Sequence, residues 1–199
     1  MLSRKYEIPI YGTRETLDEI AAAGSLGKFD KGLLTPVCPD LDFMVGDLTV
    51  KPFKIDHDAA NPVAYRVQNG EKSVAVATDM GPFDQYIIDH LQGLDALLLE
   101  SNHDVRMLET GPYPYYLKRR ILGDHGHLSN ENAGRLLNCV LHDRLKKILL
   151  GHLSKENNYE ELAYETVRLE IDGGDCPYGA SDFSISVASR DCMSEIIYL

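Results

Sequence analysis

The spacing of apolar residues divides the chain into strands and helices. Residues 48–55 alternate and are rich in β-formers, and 63–67 and 74–77 read as two further strands. Gln68-Asn69-Gly70-Glu71 joins that pair, and Asn-Gly is a strong hairpin signal. Residues 95–99 and 147–150 are almost continuously apolar, as in strands covered on both faces. Helical spacing appears at 16–23, where Leu17, Ile20 and Ala21 share a face between a Thr13 cap and Gly24. It recurs at 83–91, 104–109, 113–122, 129–141 (with Ser129 as cap) and 158–169. Residues 8–11 predict a short strand. Residues 24–47 predict a punctuated loop with short extended pieces, and 184–188 and 196–198 predict closing strands. Strands alternating with helices predict a layered α/β architecture, with residues 1–199 as one domain.

Composition narrows the picture modestly. A net charge of −11 excludes a uniformly basic nucleic-acid binder but leaves room for a local basic groove. No apolar run reaches the roughly 18 residues of a spanning helix, so no membrane partner is expected. The opening MLSRKYEIPI lacks an apolar signal core. Cys38, Cys139, Cys176 and Cys192 form no CxxC pair and read as reduced thiols of a cytoplasmic protein.

The candidate chemistry sits at element ends. His57 leaves a strand pattern, Asp79 follows the strand at 74–77, and His152 follows the strand at 147–150. Each has a plain structural reading as a loop residue or, for Asp79, as the cap of the helix beginning near Phe83. Together, imidazole and carboxylate groups suit zinc, manganese or iron. His127 stands just before a helix start, where a proton donor would lie beside a phosphate-binding N-terminus, and His103 has a similar pair of readings. His125 is less defined, and His90 and His142 read as surface residues of helices. Lys118, Arg119 and Arg120 form a basic run that suits a polyanion or is simply solvated. Tyr113, Tyr115 and Tyr116 read as packing residues, with base stacking as the alternative.

Five segments in order carry a resemblance over essentially the whole chain: His57-Asp58-Ala59-Ala60-Asn61-Pro62-Val63-Ala64-Tyr65, Ala77-Thr78-Asp79-Met80-Gly81, Glu100-Ser101-Asn102-His103-Asp104, Gly126-His127-Leu128-Ser129-Asn130-Glu131 and Gly151-His152-Leu153-Ser154. The set resembles the metallo-β-lactamase fold superfamily, and within it the YycJ/WalJ-like branch, related to ribonuclease Z and to phosphodiesterase members. The resemblance implies an αββα sandwich and two divalent metal ions, zinc or manganese, in the complete family protein, with partial or weak binding by these 199 residues. His57 and His152 would be ligands to the two ions and Asp79 would bridge them. His127 would assist the phosphate or leaving group, with His103 near the site. Substrate contacts are expected from Lys118, Arg119, Arg120 and Ser129.

The superfamily's His-x-His-x-Asp-His motif does not occur in the 199 residues. In the family it precedes a segment resembling residues 2–10, so the resemblance implies a domain truncated at its N-terminus and lacking its opening strands. The function implied is a phosphodiesterase or nuclease acting on DNA through metal-activated water. The alternatives are a non-catalytic remnant with a binding role, or a hydrolase of a thioester or lactone. Loss of the opening strands predicts exposed apolar surface and, with it, either poor stability or a homo-oligomer.

Overall fold

The computed structural model describes residues 2–27 and 30–199. After α1 (Leu2–Tyr6), strand β1 (Ile10–Gly12) pairs in parallel with β2 (Leu34–Pro36), with α2 (Arg14–Ala22) between them. Seven more strands lie side by side in chain order. β3 (Phe43–Val45), β4 (Leu48–Lys54), β5 (Val63–Asn69) and β6 (Lys72–Ala77) form an antiparallel meander. β6 then continues in parallel through β7 (Ala96–Glu100), β8 (Lys147–Gly151) and β9 (Ser184–Val187). The hairpin between β5 and β6 turns at Gly70, whose φ of 56° is the left-handed conformation that glycine adopts without strain.

Parallel neighbours need crossovers. α3 (Gln85–Leu91) links β6 to β7. α4 (Val105–Thr110), α5 (Tyr115–Leu122) and α6 (Asn130–Val140) link β7 to β8, and α7 (Glu160–Asp172) links β8 to β9. Because such connections are right-handed and the strand order never reverses, α3, α6 and α7 share one face of the sheet. The core lies there: Phe53, Ala77, Leu97, Leu99, Ile148 and Leu150 pack with Ile87, Leu91, Leu136, Leu137, Val167 and Ile171. The opposite face is covered differently. Over β4 and β5, Tyr11 stacks on Phe43 at 5.0 Å and its carbonyl accepts from the Tyr65 hydroxyl at 3.1 Å.

The expected α/β layering is present, with element limits mostly within two residues of those predicted. One expectation fails. Residues 196–198 form no strand. Ile197 and Leu199 instead line an apolar opening together with Val74, Val76, Leu98 and Leu149. Tyr115 and Tyr116, at 76% and 74% exposed, lie outside the core. No helix among the described residues is long and apolar enough to cross a membrane.

Candidate active site

Parallel strands in register end together, so residues following β6, β7 and β8 gather at one edge, the usual ligand side of such sheets. Ala77 pairs with Leu99, and Glu100 pairs with Gly151. Asp79, Glu100 and His152 therefore become neighbours. His57 reaches them from the loop after β4. That loop is held by α2, where the hydroxyl of the cap residue Thr13 donates to the Asn61 carbonyl at 2.8 Å.

Glu100 organises the site. It ends an apolar strand and is fully buried. Oε1 accepts from His152 Nδ1 at 2.6 Å and from His127 Nδ1 at 2.8 Å, while Oε2 accepts from the Met80 amide at 2.7 Å. Burial pushes the Glu100 carboxyl up, but the bonds from His127 and His152 outweigh it and hold its pKa below the usual value. The same bond raises the pKa of His152. Sequence reading placed Glu100 in a matching segment but gave it no role. The available signal was a lone carboxylate closing a continuous apolar strand.

The histidine tautomers follow from these partners. His152 Nδ1 is committed to Glu100, and His57 Nδ1 donates to the Gly126 carbonyl at 3.1 Å. Both Nε2 atoms then face the half-exposed Asp79, each 3.5 Å from Oδ1. That distance is long for a hydrogen bond, and it brings lone pairs toward a carboxylate. It matches two donors sharing one cation at about 2.0–2.2 Å. His57 and His152 thus each fit a divalent ion shared with Asp79. A four-coordinate site at either position requires donors beyond these three residues. The donor atoms of Asp79, Glu100, His127 and His152 lie within 4.8 Å of one another. Glu100 is better suited to orienting the two histidines than to ligation, because its oxygens are already occupied.

His127 stands between the other two, its ring 4.9 Å from that of His57 and 5.3 Å from that of His152. With Nδ1 on Glu100, its other nitrogen is turned to a cleft of about 380 Å³ also lined by Tyr113, Arg120, His125, Lys155 and Arg190. Gly126 is required beside it, since a Cβ there would lie 2.0 Å from the Ile121 carbonyl oxygen. Loop 100–104 fixes both histidine-bearing segments. The Asn102 amide donates to the Leu128 carbonyl at 2.8 Å, and Asn102 Nδ2 donates to the His152 carbonyl at 2.8 Å.

Of the remaining predicted residues, only Arg120 lines the cleft. His103 is 1% exposed beneath the cleft, with neither ring nitrogen hydrogen-bonded. Burial, and then the His127 charge, push its pKa down to about 4. A neutral, sealed imidazole does not donate protons to a substrate. Ser129 is buried and its hydroxyl caps α6, accepting from the Asn132 amide at 3.2 Å. Lys118 is spent on the carbonyls of Glu109 and Gly111 at 2.8 and 2.7 Å. Of the basic run, Arg120 lines the cleft and pairs with Asp58, whereas Arg119 does not line it. Asp84, rather than Asp79, caps α3, accepting from the Ile87 amide at 3.1 Å, which leaves Asp79 to the site.

The chain is 37% identical over 195 residues to the exodeoxyribonuclease WalJ of Streptococcus pneumoniae, covering 96% of this chain and 71% of that protein. It is 38% identical over 167 residues to the exodeoxyribonuclease YycJ of Bacillus anthracis, covering 84% and 62%. Among solved structures, the metallo-β-lactamase fold protein YhfI from Bacillus subtilis superposes with a TM-score of 0.57 at 18% identity, covering 90% of this chain and 61% of that one, a likeness of fold. Residues 1–152 match the beta-lactamase superfamily domain, and with these relatives the match establishes that the chain belongs to the metallo-β-lactamase superfamily, in the group of WalJ and YycJ.

Proposed function

We propose that this cleft belongs to a metal-dependent phosphodiesterase that degrades DNA. The observation that carries the reading is the pair of Nε2 atoms, from His57 and His152, each 3.5 Å from Asp79 Oδ1 beside the oriented His127. The relatives named exodeoxyribonucleases supply the substrate class. Divalent ions, zinc or manganese, held by His57 with Asp79 and by His152 with Asp79 would supply Lewis acidity and lower the pKa of water. His127, anchored through Nδ1, presents Nε2 to the cleft and can deliver a proton to the departing oxygen of the phosphodiester. Glu100 stabilises the charged ring while that proton is held. Arg120, kept at the rim by Asp58, faces the phosphate.

Hydrolysis of bis(p-nitrophenyl) phosphate and of a linear oligodeoxynucleotide, with zinc or manganese and with chelator, tests this. Both activities are expected to depend on metal. His127→Ala should lower turnover by about 10²–10⁴-fold while metal content holds. Equal loss of metal and turnover would make His127 a ligand. Failure of the metal-loaded protein to hydrolyse either substrate rejects the reading.

A further inference from the structure

The cleft does not stop at His152. A second opening of about 520 Å³ lies on its far side, and the two share His152, Leu153, Ser154, Lys155 and Arg190, so they are halves of one groove. The shared floor is fixed: the Ser154 amide donates to the Asn102 carbonyl at 2.7 Å, and the Arg190 guanidinium donates to the Leu153 carbonyl. Beyond the two cations the lining changes. Tyr159, 53% exposed, stacks on no other aromatic ring among the described residues. Glu160 and Glu161, the first residues of α7, line the same opening.

A nucleotide offers the matching groups, an anionic phosphate for the two cations and a flat base for the unstacked ring. Its size also suits an opening in the usual range of about 300–1,000 Å³. We propose that this second opening receives the terminal nucleoside of a DNA strand, with Lys155 and Arg190 on the phosphate and Tyr159 stacked on the base. A strand continuing through this opening would bring a further phosphate among its acidic lining, Glu160 and Glu161, where like charge repels it. The groove therefore favours a strand that ends there. The proposal rests on the phosphodiesterase reading and adds a structural reason for action at ends.

Binding of a labelled single-stranded oligodeoxynucleotide in the presence of chelator tests it without catalysis. Tyr159→Ala should weaken binding about tenfold, and Tyr159→Phe should restore it. Joint replacement of Lys155 and Arg190 by Ala should weaken binding and flatten its salt dependence. A circular strand of the same sequence should bind less tightly than the linear one, and Glu160→Gln with Glu161→Gln should narrow that gap. Unchanged binding in the Tyr159→Ala and Lys155/Arg190 variants, or equal affinity for circular and linear strands, overturns the proposal. So does a Tyr159→Ala defect equally large on bis(p-nitrophenyl) phosphate, which has no nucleobase. If the wild-type protein hydrolyses no phosphodiester, the functional reading falls, while the binding comparisons still decide the subsite.

Discussion

At the scale of single residues, two features of the site have measurable consequences. His103 is buried with both ring nitrogens unpartnered, and its pKa is pushed down to about 4. The unfolded chain binds a proton at His103 below about pH 6.5, whereas the folded chain does so only below about pH 4. Stability is therefore lost as pH falls through that window, by up to about 3 kcal/mol from this group. His103→Leu should show a flatter decline in urea midpoint between pH 7 and pH 4.5 than the wild type. Parallel declines would mean that His103 is not held neutral. Asp79 is a second case, with a left-handed φ of 55°. Asp79→Ala and Asp79→Gly both remove the carboxylate, and only Ala retains the steric cost of that conformation. The Gly variant should be more stable by about 0.5–1 kcal/mol after allowing for its freer unfolded chain. Equal urea midpoints would show that the loop relaxes.

At the scale of elements, the site depends on a buried polar knot. Asn158 Nδ2 donates to the carbonyls of Ser101 and Asn102 at 2.9 and 3.0 Å and to Asn130 Oδ1 at 2.9 Å, and the Ser101 hydroxyl donates to the same Asn130 oxygen at 2.6 Å. This ties the end of β7 to the starts of α6 and α7. Asn158→Ala leaves those acceptors short of donors and should cost about 2 kcal/mol or more, with turnover falling because Asn102 also holds the segment bearing His152. Undiminished stability would show that water fills the gap. Periodicity located the strands and helices that meet here, because apolar spacing survives in one dimension. The knot and the role of Glu100 were not legible, since they depend on which loops become neighbours once the strands align. His57, Asp79 and His152 could be singled out as strand-end residues. Ser129 was legible as the cap of α6, which the structure bears out, whereas Lys118 could not be withdrawn until two carbonyls were seen to occupy it.

At the scale of the molecule, placing the major crossover helices on one face leaves the other face of the parallel strands to irregular chain. Val76, Leu98 and Leu149 form one row across β6, β7 and β8. Ile197 and Leu199 line an opening beside that row, and Val76 is 46% exposed. The cover is thus partial and is made by two side chains rather than by a packed element. Contiguous apolar surface of this kind promotes association when uncovered. Replacing Ile197 and Leu199 together with Asp should release the segment while leaving the core on the helix side intact. Light scattering after size exclusion should then give a mass that rises with protein concentration, beyond any rise seen for the wild type, with an unchanged far-ultraviolet circular dichroism spectrum. A double variant with the wild-type mass at every concentration would show that this face needs no cover.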